Sequence, residues 1–400
     1  MNNNATKLPL QGVGGQNRIL ALDILRGITI AGMILVNNPG SGKYVYTPLE
    51  HAKWNGLTPT DLVFPFFMFI MGISMFIALK KFNFEPSTPT VRKILKRTVL
   101  LYLVGLAIAW FSLTCRTFNS VDLAGLPFFE RLGKAMWNLD KIRFLGVIPR
   151  LAICYGTVSF IVISIKHKHI PWLVAFLLIG YSILLLLGNG YAYDKTNILS
   201  IVDYKILGEN HMYIDNGIEP EGILSTIPAI AHVLLGFFIG KIMMETKDIH
   251  QKIERLFITG AMLTFSGFLL SYGLPINKKI WSPTFVLTTI GLGATLLALL
   301  IWIIDVKNQK TWCRFFETFG VNPLFMYVLG AFFAIVIGNI IVRPSLDPKL
   351  VVNLKGNIYN ELLQPAFGNY FGSLMYALLF VGFNWIFGYI LYKKKIYIKL

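Results

Sequence analysis

Charged residues are scarce in this 400-residue chain, in which only 14% of the residues are Asp, Glu, Lys or Arg and 55% are hydrophobic. A soluble domain carries about 25% charged residues, so this composition excludes an ordinary water-soluble globule. Glycine and proline stand at ordinary levels, with 35 and 18 residues, which excludes collagen-like and low-complexity chains. The sequence is therefore typical of a membrane protein.

Cysteine and the common metal and nucleotide motifs are also lacking. The three cysteines, Cys115, Cys154 and Cys313, lie far apart and fit neither a disulfide framework nor a zinc site. The sequence has no Walker-type phosphate loop, no His-Glu-x-x-His and no Cys-x-x-Cys, which are frequent signs of ATP-driven and metal-dependent chemistry. We therefore expect no metal and no ATP-driven mechanism.

Long apolar runs are the main feature that the chain does have. A hydrocarbon layer of ~30 Å needs about 20 mostly apolar residues per helix, and the chain contains about ten such runs. The predicted fold is thus an all-α, polytopic transmembrane helix bundle. The predicted spans lie near 19–37, 62–80, 95–113, 144–165, 170–188, 223–244, 255–273, 283–304, 316–341 and 372–392. Gly320 and Pro323 in the ninth run predict that it is bent, broken or divided in two.

Lysine and arginine concentrate in alternate connections between the predicted spans. The formal net charge is +17, and the basic excess lies on the side that holds both termini, which predicts a cytoplasmic N-terminus and C-terminus. Because topology accounts for this excess, we expect no nucleic-acid partner. The predicted organisation is a cytoplasmic N-terminal tail over 1–18, a single membrane domain over 19–392 and a basic cytoplasmic tail over 393–400. The short soluble extensions favour a bacterial inner membrane.

Two charged residues lie inside the first predicted span. Asp23 and Arg26 are three residues apart and share one helical face. Unpaired charges in a membrane are costly, so we expect this pair to form, either as a structural contact or as part of a functional site. Arg26 also offers a donor to a phosphate.

The connection after the first span is unusually rich in polar and aromatic side chains. Asn37 and Asn38 end the span, and Tyr44, His51 and Trp54 follow. The aromatic residues fit either interface anchors or a binding site, whereas histidine suits proton exchange near neutral pH.

Asp61 has two interpretations that the sequence leaves open. Thr58, Pro59 and Asp61 fit a helix N-cap, a first helical residue and the acid of a capping box. Alternatively, Asp61 orients His51 or stabilises its positive charge, because a separation of ten positions allows the loop to fold back.

A basic cluster precedes the third span. Arg92, Lys93, Lys96 and Arg97 lie at helical spacing. They fit a topology signal and equally the phosphates of a nucleotide-like donor.

Several short runs stand out beyond composition. They are Asp23-x-x-Arg26-Gly27, Val36-Asn37, Gly42-Lys43-Tyr44, His51-Ala52-x-Trp54-Asn55-Gly56-Leu57-Thr58, Asp61-Leu62-Val63-Phe64-Pro65, Gly146-Val147 with Arg150, Glu221-Gly222-Ile223-Leu224, Ile276-Asn277-Lys278-Lys279-x-Trp281-Ser282, and Gly320-Val321-Asn322 with Tyr327. Together they resemble the family of membrane acetyltransferases typified by heparan-α-glucosaminide N-acetyltransferase, over nearly the whole chain.

The resemblance implies a transmembrane enzyme that moves acetyl from cytoplasmic acetyl-CoA to the amine of a glucosamine-type sugar at the outer face. It implies that His51 is the active-site histidine and that Asn37, with Asn38 as a rival, is the asparagine of the site. We add Asp61 as a catalytic candidate. Tyr44, Trp54, Asn55, Asn322 and the rival Asn38 are the candidates for substrate binding. The candidates for acetyl-CoA binding are Arg26, Arg92, Lys96, Arg97 and Arg150.

Two chemical routes stay open at this point, as do an amino-sugar permease and a scaffold with a degenerate site as other functions. His51 acts either as the general base for the amine or as a nucleophile that carries acetyl, with an asparagine donating to the carbonyl oxygen. The alternative is an amino-sugar permease on the same scaffold. The expected partners are acyl-CoA, a small amino sugar or glycan end and membrane lipid, and a homodimer is compatible with the sequence.

Overall fold

The protein is an all-α helix bundle with one small β-ribbon. The computed structural model describes residues 19–213, 215–343 and 351–398; the predicted tail over 1–18 lies outside these residues. The α-helices are α1 Leu20–Asn37, α2 Val63–Lys80, α3 Thr88–Phe118, α4 Phe128–Met136, α5 Val147–Ser164, α6 Ile170–Leu187, α7 Ile198–Ile206, α8 Thr226–Glu245, α9 Ile249–Leu270, α10 Pro283–Ile301, α11 Cys313–Val321, α12 Pro323–Asn339, α13 Leu354–Asn357, α14 Gln364–Phe367 and α15 Asn369–Lys393.

Shorter elements complete the described chain. The strands β1 Ile341–Arg343 and β2 Val352–Asn353 pair antiparallel. The 3₁₀ turns are Thr47–Leu49, Pro59–Leu62, Val121–Leu123, Leu139–Lys141, His167–His169 and Glu209–His211, and the π-helical turns are Trp302–Val306 and Ile358–Leu363.

The predicted number of spans is confirmed. Within the described residues, nine helices are long and apolar enough to cross a membrane, and a bent pair makes a tenth. That pair is α11 and α12, which meet at 87° next to Pro323. The ninth predicted run is therefore broken, as its glycine and proline residues predict, because proline cannot continue the hydrogen-bond ladder of a helix.

Five helices form the interior of the bundle and the others surround them. Most residues of α1, α2, α5, α8 and α10 are buried, whereas only a minority of the residues of α3, α6, α9 and α15 are buried. The largest apolar core lies where α2 packs against α8, with Phe69, Phe76 and Phe237 fully buried. In a hydrocarbon layer the apolar side chains of an outer helix contact lipid. The outer helices therefore do not need to bury these side chains inside the protein.

Two glycines let the broken span approach α1 closely. A Cβ atom at Gly27 would lie 1.8 Å from the carbonyl oxygen of Phe316, and one at Gly320 would lie 1.9 Å from that of Asp23. Only glycine fits such a backbone contact, and small residues serve this purpose widely between membrane helices. The approach fixes α11 next to the charged pair of α1.

The long connections collect at one end of the bundle, which we call the His51 face. There, the backbone nitrogen of Gly56 donates to the carbonyl of Ile276 at 2.8 Å, and the indole nitrogen of Trp54 donates to the carbonyl of Tyr191 at 2.8 Å. These bonds join the loop after α1 to the loops before α7 and α10. The other end of the bundle, where α2 ends and α3 begins, is the opposite face.

The C-terminal segment of the described chain folds back onto the bundle. Asn322, at the break between α11 and α12, donates to the carbonyl of Ile396 and accepts from the backbone nitrogen of Ile398, both at 2.8 Å. The chain around Ile396 and Ile398 is therefore hydrogen-bonded to the bundle, and α15 itself runs to Lys393. The orientation of both ends relative to the membrane stays a prediction.

Candidate active site

The structure brings His51 and Asp61 together on the His51 face. Nδ1 of His51 lies 2.7 Å from Oδ1 of Asp61. The carboxylate is buried, whereas 48% of the histidine side chain is exposed. A carboxylate accepts, so Nδ1 carries the proton in this contact and Nε2 is left as the acceptor of the ring. The arrangement has the geometry of a base oriented by a buried acid.

Asp61 also closes the capping box that the sequence predicts, so its two interpretations hold together. Its second oxygen, Oδ2, accepts from the backbone nitrogens of Ala52 and Thr58, both at 3.1 Å, and from the hydroxyl of Thr58 at 3.0 Å. The capping box of Thr58 and Asp61 is complete. The same carboxylate thus contacts both the loop that carries His51 and the start of the helical segment. These contacts hold the His51 side chain and the neighbouring backbone in one position.

Lys278 is the third member of this cluster. Its Nζ lies 3.0 Å from Nδ1 of His51 and 3.4 Å from Oδ1 of Asp61. Burial lowers the pKa of Lys278, while Asp61 and Glu221 act in the opposite direction. A buried carboxylate is costly without a counter-charge, so Lys278 compensates Asp61 and at the same time places a cation beside the imidazole.

Loop contacts build a platform around the cluster. The rings of Trp54 and Tyr193 stack at 4.5 Å between centroids, and the side chain of Asn277 donates to that of Asn55 at 3.1 Å. Lys279 donates to the Tyr193 hydroxyl at 2.8 Å. The predicted residues Trp54 and Asn55 thus lie in the same loop assembly as His51. Trp54 also stabilises this assembly through its contacts with Tyr191 and Tyr193.

The structure separates the rival asparagines at the end of α1. Asn38 caps that helix, because its Nδ2 donates to the carbonyl of Ile34 at 2.7 Å. Asn37 is exposed at the last residue of α1. An amide that caps a helix has one donor fewer for a ligand, and the choice between Asn37 and Asn38 as the asparagine of the site stays a prediction.

Tyr44 lies in a different part of the face. Its ring meets that of Tyr370 edge to face at 5.6 Å, at the start of α15. The structure therefore does not bring Tyr44 into the loop assembly of Trp54, and its role in substrate binding stays a prediction.

A cavity of about 530 Å³ occupies the half of the bundle toward the opposite face. Side chains of α1, α2, α3, α5 and α12 line it, and its cations are Arg26, Lys93 and Arg97. Arg26 pairs with Asp23 at 3.0 Å and donates to Ser74 at 3.1 Å. Arg97 lies over the ring of Tyr155 at 4.7 Å. The predicted pair in the first span is thus formed, and its arginine lines this cavity.

The other predicted cofactor residues take different positions. Arg92 and Lys96 are exposed on α3 beside the cations that line the cavity. Arg150 is fully buried toward the His51 face, where it donates to Ser225 and, at 3.2 Å, to the carbonyl of Gly222. Asn322 holds the C-terminal segment, as described above. The structure thus groups Arg26 with Arg97 but not with Arg150, and it does not bring Asn322 to His51.

Lys278 is the main residue of the site to which the sequence analysis assigns no role. It lies within the run Ile276 to Ser282, which the resemblance includes. The run marks the segment, but it does not show which of its side chains reaches His51. That contact joins residues 227 positions apart and depends on how two loops pack.

Comparisons with known proteins show which family the chain resembles. A sequence model of the family described as "Heparan-alpha-glucosaminide N-acetyltransferase, catalytic" matches residues 18–272. The human protein named heparan-alpha-glucosaminide N-acetyltransferase is 30% identical, over 78% of this chain and 52% of its own length. The mouse protein of the same name is 29% identical, over 78% of this chain and 53% of its own length. The chain spans about half the length of these curated relatives.

Proposed function

Because the chain belongs to the heparan-alpha-glucosaminide N-acetyltransferase family, we propose that it is a transmembrane acetyltransferase. It moves acetyl from acetyl-CoA to the amine of a glucosamine-type sugar, with the sugar at the His51 face. The observation that carries this proposal is the contact of His51 with the buried Asp61 at 2.7 Å, on a bundle whose other half holds a cavity with cationic walls.

His51 acts on the sugar amine through Nε2. Asp61 holds the proton on Nδ1, so the lone pair of Nε2 takes a proton from the amine as its nitrogen attacks the thioester carbon. The C–N bond forms, the C–S bond breaks, and the thiolate leaves with the electron pair and is then protonated. Asn37 is the candidate donor to the carbonyl oxygen, where negative charge develops.

A covalent route uses the same nitrogen. Nε2 of His51 attacks the thioester carbon, the thiolate leaves, and the acetyl group then passes from the imidazole to the amine. This route predicts a labelled enzyme when acetyl-CoA is supplied without an acceptor, whereas direct transfer predicts none. A rapid quench with labelled acetyl-CoA, with and without glucosamine, distinguishes the two routes.

The cavity supplies the entry for acetyl-CoA. Arg26, Lys93 and Arg97 line it, and Arg92 and Lys96 extend the positive charge along α3 outside it. Arginine and lysine side chains bind phosphate groups, while the apolar walls suit the chain that links the nucleotide to sulfur. The basic residues of the opposite face favour a cytoplasmic position for this entry, in the inner membrane of a bacterium.

The test is acetyl transfer from labelled acetyl-CoA to glucosamine by the purified protein in liposomes. If His51 is the base, His51→Gln lowers turnover by about 10² or more, while His250→Gln, an exposed histidine of α9, leaves it unchanged. Unchanged turnover in His51→Gln would refute the role of His51. Uptake of labelled glucosamine into liposomes without acetyl-CoA would instead support an amino-sugar permease.

A further inference from the structure

A second cavity, of about 430 Å³, lies between the outer helix α3 and the chain around α4. Every side chain that lines it is apolar or aromatic. Its walls include Leu106, Ala107 and Trp110 on α3, and Met136, Trp137 and Ile142 on the other side. Because Trp137 is exposed, the cavity is open along one side, and we call it the Trp110 groove.

The position of the Trp110 groove along α3 puts it at the depth of the hydrocarbon layer. α3 begins at the opposite face, and Arg97 is the last cation before its apolar run. At 1.5 Å per residue, Leu106 and Trp110 lie about 14 and about 20 Å beyond Arg97. The layer is ~30 Å thick. The groove therefore extends from near the middle of the layer into the half on the side of the His51 face, where lipid chains surround the protein.

α4 closes the groove as an amphipathic helix. Phe129 and Met136 lie on one side of α4, whereas Glu130 and Lys134 lie on the other. Phe129 is 84% exposed, which fits a helix whose apolar side lies in the membrane interface. The indole nitrogen of Trp110 donates to the carbonyl of Met136 at 2.9 Å. This bond holds α4 against α3 and satisfies the indole N–H, so the groove presents apolar surface to a ligand.

A short segment links the groove to the His51 cluster. Ile142 lines the groove, and the next residue, Arg143, donates to the carboxylate of Glu221 at 2.6 Å. Burial lowers the pKa of Lys278, and the charge of Glu221 opposes this shift. Nζ of Lys278 in turn lies 3.0 Å from Nδ1 of His51. The segment therefore has the apolar groove on one side and the charged network of the candidate active site on the other.

We propose that the Trp110 groove holds an alkyl chain of the acceptor, so that the acceptor is an amino sugar anchored in the membrane by a lipid chain. This inference rests on the proposed function, which has the sugar at the His51 face. A chain in the groove lies within the hydrocarbon layer, and its head leaves the layer on the side of His51. Anchoring the chain also restricts the directions from which the amine approaches His51. The link through Arg143 favours the acceptor over any other membrane lipid, because it joins the groove to the residues around the reacting amine.

The first test compares two acceptors with the same sugar head, dodecyl glucosaminide and methyl glucosaminide, in liposomes. Ala107→Phe fills the groove from its α3 wall. We expect kcat/KM for dodecyl glucosaminide to fall about tenfold or more and that for methyl glucosaminide to stay unchanged. Leu103→Phe is the matched control, because Leu103 is an exposed residue of α3 outside the groove, and it should change neither value. An equal loss for both acceptors, or no loss for either, would overturn the inference.

Photolabelling separates this inference from the proposed function, because it needs no turnover. Dodecyl glucosaminide with a diazirine in its chain should label Trp110 or Met136, as mapped by mass spectrometry. Phosphatidylcholine with the same diazirine in an acyl chain should label them about tenfold less. If the sugar probe labels the groove but no acetyl group is transferred, only the proposed function fails.

Two labelling results would overturn the inference. Equal labelling by both probes would show that the groove takes an ordinary membrane lipid, and labelling by the sugar probe only outside the groove would show that its chain lies elsewhere. Ala107→Phe should remove the labelling of the groove, whereas Leu103→Phe should keep it. Trp137→Ala, which removes an exposed wall of the groove, provides a second variant if Ala107→Phe does not fold.

Discussion

Replacing Lys278 with methionine tests whether its charge compensates the buried carboxylate of Asp61. In the structure, Nζ of Lys278 lies 3.0 Å from Nδ1 of His51 and 3.4 Å from Oδ1 of Asp61. Methionine keeps much of the length and apolar character of the lysine chain but removes its charge. Without the cation, Asp61 keeps its hydrogen bonds to Ala52 and Thr58 but loses this counter-charge, so the folded state becomes less stable.

The size of the effect follows from distance and exposure. Two unit charges about 4 Å apart interact by about 4 kcal/mol at an effective dielectric constant of 20. The side chain of Asp61 is 1% exposed and that of Lys278 is 19% exposed, and water reduces interactions of exposed charges to about 1 kcal/mol. The pair lies between these limits, so Lys278→Met should lower the unfolding free energy by about 2 kcal/mol.

The assay is denaturant unfolding of the purified protein, for the wild type, Lys278→Met and Lys278→Arg. Arginine retains the charge and should keep the unfolding free energy near its wild-type value. In an Asp61→Asn background, where no carboxylate needs a counter-charge, Lys278→Met should cost much less stability. An unchanged unfolding free energy in Lys278→Met, or an equal loss in both backgrounds, would refute the reasoning, since it would mean that Lys278 acts only through packing.

Three further substitutions test the site and the fold. Asp61→Asn should lower kcat by about 10² or more, because the amide no longer fixes the proton on Nδ1 of His51. Loss of the capping box should also lower the unfolding free energy by about 1 kcal/mol. Turnover near the wild-type value would contradict the orienting role of Asp61. Burial raises the pKa of Asp203 in α7 to about 6, so native stability falls as the pH rises through this value and the buried carboxylate ionises. Asp203→Asn should therefore raise the unfolding free energy at pH 7.5 by up to about 3 kcal/mol. This gain in stability over the wild type should shrink toward pH 4. An equal gain at both pH values would contradict an origin in the ionisation of Asp203. Gly27→Ala places a Cβ atom 1.8 Å from the Phe316 carbonyl and should destabilise the protein by about 1 to 3 kcal/mol in thermal unfolding, whereas Gly42→Ala, with no atom within 4 Å, should not.

Local features of the fold are predictable from the sequence because their causes are local. The capping box of Thr58 and Asp61 needs only residues that are close along the chain. The break at Pro323 follows from the missing N–H of proline. Apolar length predicts the spans, since the hydrocarbon layer sets it.

The site is predictable only in part, because its contacts join distant segments. The spacing of His51 and Asp61 allows their contact, and the structure has it at 2.7 Å. The approach of Lys278 depends on how two loops pack, and no local pattern specifies it. Charge alone groups Arg150 with the cations of α3, whereas the direction of α5 puts it toward the His51 face. A residue's type shows what it can bind, but helix direction decides where that binding occurs.

In the proposed function, the geometry of the cluster assigns the same reacting nitrogen to both routes. Nδ1 of His51 faces both Asp61 and Lys278, so neither a sugar amine nor a thioester carbon fits against it. Nε2, 3.5 Å from Nζ of Lys278, is the ring nitrogen that Asp61 leaves as an acceptor. Direct transfer and the covalent route therefore differ only in whether Nε2 takes a proton or an acetyl group. Both routes need the lone pair of Nε2, and the contact of Asp61 with Nδ1 leaves that lone pair available to either one.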